Sequence, residues 1–169
     1  MDSAGRQDIF LSFINDNKGI IYKVANSYCH NREDRKDLVQ EIIIQLWRSF
    51  AKYNDQYKYS TWIYRIALNT AISFYRKENR RNQVSDISSD DIIDIVDNKP
   101  SNNIEEDISL LQLFISELKE LDKAVMLLYL EEKSYKEIAE IIGISETNVA
   151  TKIGRCKKVL KEKFSTIKK

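Results

Sequence analysis

The stretch Ser134–Lys163, SYKEIAEIIGISETNVATKIGRCKKVLKEK, constrains the fold more than any other part of this chain. Ser134 followed three residues later by Glu137 has the spacing of a capping box, which starts a helix by satisfying its first free N–H groups. Ile138, Ala139 and Ile142 then fall on one helical face. Gly143 supplies the left-handed residue that ends a helix without a Cβ clash. Ser145 is placed to cap a second helix, in which Val149, Ile153, Cys156, Leu160 and Phe164 repeat every three or four positions. That stripe must face inward, leaving Asn148, Thr151, Lys152, Arg155 and Lys158 pointing out.

A short turn between two helices, with an outward face of amides, hydroxyls and cations, suits insertion into the major groove of DNA. The same pattern also occurs in plain helical bundles, where a lysine-rich last helix is a solvated face. The rest of the chain bears on the choice. Among 169 residues there are four Gly and one Pro, too little turn material for a β fold, and the long periodic segments predict an all-α protein. With 43% apolar residues the chain can bury cores, and its length allows one domain or two small ones. No run of about 18 apolar residues exists, so no membrane insertion is expected. The start, MDSAGRQDIF, lacks the basic-then-apolar pattern of a secretion signal. Cys29 and Cys156 lie far apart without ligand spacing, which fits a reducing cytoplasm. No metal or cofactor motif stands out.

The formal net charge of +1 conceals a segregated pattern. Residues 1–80 carry 13 Lys/Arg against 9 Asp/Glu, residues 81–107 carry 2 against 8, and residues 108–169 carry 12 against 9. Two mildly basic blocks flank an acidic spacer, a distribution suited to nucleic-acid binding. The spacer holds the one proline and many Ser, Asn and Asp residues, and reads as a linker with a short ordered turn at Ile92–Val96. The expected architecture is therefore two small helical domains, 1–81 and 108–169, joined by a flexible acidic linker, 82–107, the second being a helix-turn-helix domain. In the first block the periodicity predicts helices over Asp8–Asp16, Lys18–Tyr28, Glu33–Ala51 and Ser60–Arg80, with Ser60 as the cap of the last. In the second it predicts Glu106–Lys119 and Asp122–Glu131 ahead of the helix-turn-helix.

The helix over Glu33–Ala51 is more apolar than one packed face requires. Asp37, Gln40 and Glu41 form a polar patch beside isoleucines and Trp47, a composition that fits a protein-docking surface. Burial on two sides within its own bundle fits as well. The segment Lys52–Arg81 interleaves six Tyr and Trp side chains with seven Lys and Arg. Rings that stack on unpaired bases and cations that track phosphates are the chemistry of single-strand capture. Ile63, Ala67, Ala71 and Phe74 make its inward stripe, with Arg65, Asn69 and Arg76 opposite.

Taken together, these residues resemble the sigma-70 family of bacterial transcription initiation factors, specifically the small extracytoplasmic-function type. Asp37-Leu38-Val39-Gln40-Glu41, with Trp47 beyond, resembles the family's core-polymerase-binding helix. Ser60-Thr61-Trp62-Ile63-Tyr64-Arg65-Ile66-Ala67-Leu68-Asn69 is similar to its promoter-melting helix, down to a basic cluster at the end, Arg76–Arg81. Tyr135–Glu140, Gly143-Ile144-Ser145, Val149 and Lys152-Ile153 resemble its C-terminal helix-turn-helix. The resemblance implies that Asp37, Gln40, Glu41, Ile43 and Trp47 dock on the coiled-coil clamp of the largest subunit of core RNA polymerase. It implies that Lys58, Tyr59 and Ser60 sit in the loop that captures a flipped base of the minus-ten element, with Arg65, Asn69 and Arg76 on that element's phosphates and bases. Thr147, Asn148, Thr151, Lys152 and Arg155 would read or clamp the minus-thirty-five element. Such a chain works with core polymerase and promoter DNA, uses no cofactor and catalyses nothing itself; family members are commonly held by an anti-sigma protein, which its two apolar docking faces would permit.

Two departures from the family pattern affect the second DNA surface. Thr147 and Asn148 stand where a small residue and a threonine are frequent. Gly154-Arg155-Cys156-Lys157 replaces an aromatic followed by arginine-alanine-arginine, so base preferences do not transfer. Three rivals are weighed against this reading. A two-domain helix-turn-helix repressor or activator would need a dimer surface or effector pocket, which the first block does not offer. An enzyme would need more than His30 beside Cys29 at a helix end. A partner-binding protein would have no use for outward Asn148, Lys152 and Arg155.

Overall fold

The computed structural model describes residues 3–54, 56–84 and 103–167. Among these it is entirely helical: α1 (Ser3–Tyr28), α2 (Arg32–Phe50), α3 (Tyr59–Val84), α4 (Asn103–Ser116), α5 (Glu120–Leu130), α6 (Tyr135–Ile142) and α7 (Glu146–Ile167). Helices α1 to α3 pack on one another as a bundle. Its floor is Val24, Ala25, Leu38, Ile42, Leu46, Ile63, Ala67 and Ala71, all with no exposed surface. Removing that much apolar area from water is the main force holding a bundle of this size.

Helix α1 is continuous where the periodicity predicts two helices. The break is expected at Asn17, between Asp16 and Lys18, but Asn17 folds its side-chain amide back onto the Phe13 carbonyl at 2.8 Å. Phe10 on one side of Gly19 and Ile21, Val24 and Tyr28 on the other are all buried, so packing on both sides outweighs the roughly 1 kcal/mol a helical glycine costs. Helix α2 begins at Asn31, whose side-chain oxygen accepts the Asp34 N–H at 2.7 Å. Helix α3 starts one residue before its expected cap. The Lys58 carbonyl accepts the Trp62 N–H at 3.1 Å, so Lys58 occupies the flanking position and Ser60 lies inside the first turn. Helix α3 runs on to Val84 and α4 starts at Asn103, each reaching into the range expected to be linker. The turn expected at Ile92–Val96 lies outside the described residues.

In the second block α5, α6 and α7 pack together, and α4 lies along α5 and α7. Phe114, Ile115, Met126, Cys156 and Leu160 form a separate small core under α4. The two blocks do not stand apart. Helix α3 packs on α5 and α6, and α1 touches α5. One continuous buried cluster runs from Ile21 and Leu38 through Ala67 to Leu128, Ile138 and Ile153.

Candidate functional site

Three surfaces carry the candidate residues. On the helix-turn-helix, local hydrogen bonds build the geometry the spacing predicts. Glu137 N–H donates to Ser134 Oγ at 3.1 Å and Ser134 N–H donates to Glu137 Oε2 at 2.9 Å, closing the capping box. These bonds to the anion hold the Glu137 carboxyl below its usual range, the Ser134 N–H being the largest cause. Gly143 turns the chain at φ 83°, and the N–H groups of Gly143 and Ile144 both return to the Ala139 carbonyl. Ser145 Oγ then accepts the Asn148 N–H at 3.1 Å, which starts α7. Val149, Ile153, Cys156 and Leu160 are buried, so the helix can rotate no other face outward. The inward face of α6 is made by Ile138, Ala139 and Ile141; Ile142 is only half-buried.

This leaves Thr147, Asn148, Thr151, Arg155 and Lys158 exposed on α7. Thr151 donates its hydroxyl to the Thr147 carbonyl at 3.0 Å, so its oxygen remains only an acceptor for a base or phosphate. Lys152, expected to point free, is half-buried and lies 3.0 Å from Asp122 of α5. Lys157, not among the expected contacts, sits 4.6 Å over the Tyr129 ring, and its hydrogen bond to that tyrosine raises its pKa.

The second surface is α3 with the loop before it. Arg65, Asn69 and Arg76 are all exposed along one face. Arg76 Nε donates to Glu120 Oε1 at 2.8 Å, across to the second block. In the loop, Tyr53 and Tyr59 stack with ring centroids 4.5 Å apart and planes 21° from parallel. The Tyr53 hydroxyl donates to the Tyr57 carbonyl at 2.6 Å, folding the loop on itself. Tyr59 is half open to solvent, Lys58 is exposed and Ser60 half-buried. Sequence reasoning placed Tyr53 in the aromatic cluster but missed that it is the platform fixing Tyr59. The six-residue spacing across a loop carries no periodic signal that could have shown it.

The third surface lies on α2. Leu38, Ile42 and Leu46 point inward with no exposure, while Asp37 and Gln40 are exposed. Glu41 is half-buried and accepts from Gln45 at 2.8 Å. Ile43 is half-buried, and Ile44, 43% exposed, continues the face beyond Glu41. Trp47 keeps 36% of its surface open although Phe10 meets it edge-on at 4.9 Å and Arg6 lies 4.9 Å over its ring. The helix is therefore packed on one side and open on the other. A held but open tryptophan beside an amide and a carboxylate is an anchor with little side-chain entropy left to lose on docking. Beside Gln40 a cleft of about 520 Å³ opens, lined also by Tyr22, Asn26, Arg32, Arg35, Lys36 and Val39.

Among the described residues no group of three His, Cys, Asp or Glu side chains could hold a metal ion, and no helix is long and apolar enough to cross a membrane. His30 is exposed next to the buried Cys29.

Two family profiles match the chain: Sigma-70 region 2 over residues 13–81 and Sigma-70, region 4 over residues 108–160. The first spans most of α1 to α3 and the second most of α4 to α7. Among relatives, the chain is 29% identical to the RNA polymerase sigma factor SigV of Bacillus subtilis over 154 residues, 90% of this chain and 89% of that one. It is 28% identical to the ECF RNA polymerase sigma-E factor of Haemophilus influenzae, covering 81% and 78% of the two chains. Its fold matches that of the sigma factor RpoE in a complex with the anti-sigma factor NepR from Bartonella quintana, with a TM-score of 0.71, 19% identity, and 90% and 94% of the two chains covered. A repressor acting without polymerase is not favoured, because the first block is itself a sigma region. Seven helices among the described residues, a capped helix-turn-helix and two sigma regions in succession make the chain a member of the sigma-70 family, an extracytoplasmic-function sigma factor that directs RNA polymerase to promoters and is not an enzyme.

Proposed function

We propose a division of labour among the three surfaces. Residues 1–81 bind core polymerase and the minus-ten element, and residues 108–169 bind the minus-thirty-five element, with 82–107 as the connection between them. Asp37, Gln40, Glu41, Ile43 and Trp47 dock on the coiled-coil clamp of the largest polymerase subunit. Trp47 is the apolar anchor; Asp37 and Gln40 set orientation and specificity at the rim. Lys58, Tyr59 and Ser60 capture a flipped base of the minus-ten element, and Arg65, Asn69 and Arg76 hold that element's phosphates and bases. Thr147, Asn148, Thr151, Lys152 and Arg155 enter the major groove of the minus-thirty-five element. The protein works in the cytoplasm, and an anti-sigma protein is a partner that its apolar faces would accept.

The observation that best supports the melting step is the stacked Tyr53–Tyr59 pair, with Tyr59 half open and Lys58 exposed beside it. Flipping a base costs a few kcal/mol, and stacking on an aromatic ring returns about 1–3 kcal/mol per base. One platform therefore offsets most of the cost of one base, and melting needs the polymerase and both DNA surfaces together. Binding of a forked minus-ten fragment to the holoenzyme tests this. Tyr59→Ala should weaken it about 5- to 150-fold, as loss of one stacked base predicts. Unchanged binding would assign the capture to another residue.

A further inference from the structure

The opening turns of α1, residues 3–12, lie ahead of the match to Sigma-70 region 2, which begins at residue 13. They nevertheless hold Trp47, the apolar anchor assigned above to polymerase docking. The Arg6 guanidinium lies over the Trp47 ring, 4.9 Å from its centre, and Phe10 meets that ring edge-on at 4.9 Å. Phe10 is itself buried and packs edge-on against Phe50 at 5.2 Å. The indole is thus fixed by a cation on one face and a buried ring beside it, and the rest of it stays open. Arg6 is only half-buried, and among the described residues no carboxylate pairs with it. A cation held over a ring spends none of its N–H donors there, so Arg6 still has a planar fork to offer to a carboxylate.

The place of this pair on the docking surface gives it direction. Asp37, Gln40, Ile44 and Trp47 follow one another at steps of three and four residues, so they line one face of α2 over roughly 15 Å. All four are exposed, and Arg6 carries the same surface onto α1. The resulting strip is anionic at Asp37 and cationic at Arg6, with an amide and two apolar side chains between. A surface charged oppositely at its two ends accepts a complementary partner in one orientation and repels it in the other. Tryptophan and arginine are also the side chains that most often dominate binding energy at an interface centre.

We infer that Arg6 and Trp47 form a composite anchor for core polymerase: Arg6 fixes the indole and takes a carboxylate of the clamp, so the opening turns of α1 belong to the docking surface and set the direction in which the clamp lies on α2. The inference rests on the docking of α2 on the clamp, and adds to it the chemistry of the partner. Beside the apolar position that receives Trp47, the clamp presents an acidic side chain. Because both members of the anchor are held before docking, little rotamer freedom is lost when the complex forms.

Affinity for core polymerase, read by competition of the full chain against a labelled wild-type chain, tests the anchor. Arg6→Ala should weaken binding at least about tenfold at about 0.1 M salt, as truncation of a central arginine predicts. Arg6→Glu should weaken it further, since it sets like charges against each other. Arg6→Lys keeps the charge without the planar fork and should fall between wild type and Arg6→Ala. Raising the salt to about 0.5 M should narrow the gap between Arg6→Glu and wild type, which loss of a merely structural contact would not do. Thermal unfolding of the free Arg6→Ala chain should stay within roughly 4 °C of wild type, the most that one exposed cation–π contact accounts for. Arg6→Ala binding within about twofold of wild type would overturn the anchor. So would Arg6→Glu no weaker than Arg6→Ala, Arg6→Lys no better than Arg6→Ala, or a deficit that salt leaves unchanged. Asp37→Ala/Gln40→Ala, measured alongside, separates the two readings. Weakening there with every Arg6 variant unaffected removes the anchor alone, whereas a wild-type chain that does not bind core polymerase removes the docking assignment beneath it.

Discussion

Gly154 in the middle of α7 offers a substitution whose stability effect and functional effect should run in opposite directions. It lies three residues after Thr151 and seven after Thr147, on the face assigned to DNA. A Cβ built at this position meets nothing within 4 Å. The backbone there is ordinary helix, without the positive φ found at Gly143. Gly154→Ala therefore adds no clash and removes the backbone entropy that glycine loses on folding. The gain should be about 0.8–1 kcal/mol, the difference between the two residues in a helix interior. In a cooperatively unfolding chain of this length that corresponds to a rise in Tm of roughly 2–4 °C. The assay is thermal unfolding by circular dichroism, beside transcription from a promoter with an intact minus-thirty-five element. The added methyl should raise Tm while leaving transcription unchanged or lowering it, because it stands where the duplex comes close. A fall in Tm would show that something already presses on this position, and the exposed-face assignment of α7 would be wrong.

Ser134→Ala removes the hydroxyl that accepts Glu137 N–H and should cost about 1 kcal/mol, read as a shift of the urea midpoint with an unchanged m-value. The Glu120 carboxyl lies below its usual value, first through the Arg76 hydrogen bond. Since its folded pKa is depressed, its contribution is complete above the unfolded value of 4.5 and is lost as pH falls through the lowered one. Acid titration of wild type should therefore show a loss of stability below that range which Glu120→Gln lacks; superimposable curves would discount the ion pair. Burial pushes the Cys29 thiol up to about 11 from 9.0, with the Asp34 charge adding to it. At pH 8 its thiolate population should be about a hundredfold below that of the unfolded chain. In a Cys156→Ala background an aromatic disulfide should label folded protein at least tenfold more slowly than urea-unfolded protein; equal rates would place Cys29 in solvent.

What could be read from sequence divides by how far apart the interacting residues stand. The helix-turn-helix was legible almost atom by atom, because a capping box, a left-handed glycine and a stripe of period 3.6 are all set within a few residues. The unbroken α1 was not, since Asn17 between two short amphipathic stretches is a fair local stop that only packing against α2 and α3 overrides. The start of α3 was misplaced because serine's preference for caps competes with a loop that its tyrosines fold. The closure between the blocks was invisible. Its bonds join residues 44 positions apart, as in Arg76–Glu120, or 108 apart, as in Lys23–Glu131. Lys123 illustrates the point: nothing in a lysine on a mixed helix announces burial between the rings of Tyr28 and Tyr75. Lys152 was expected to face solvent on periodicity, and only the neighbouring helix turns it aside.

The measurement that bears most directly on the whole account is run-off transcription, with the purified chain added to bacterial core polymerase on a library of promoter fragments. Transcripts should depend on the chain, come from a shared pair of elements, and disappear in Asp37→Ala/Gln40→Ala, a variant whose exposed substitutions should leave unfolding within about 0.5 kcal/mol of wild type. Core polymerase that ignores the chain, while the chain alone selects a site on duplex DNA, would contradict it.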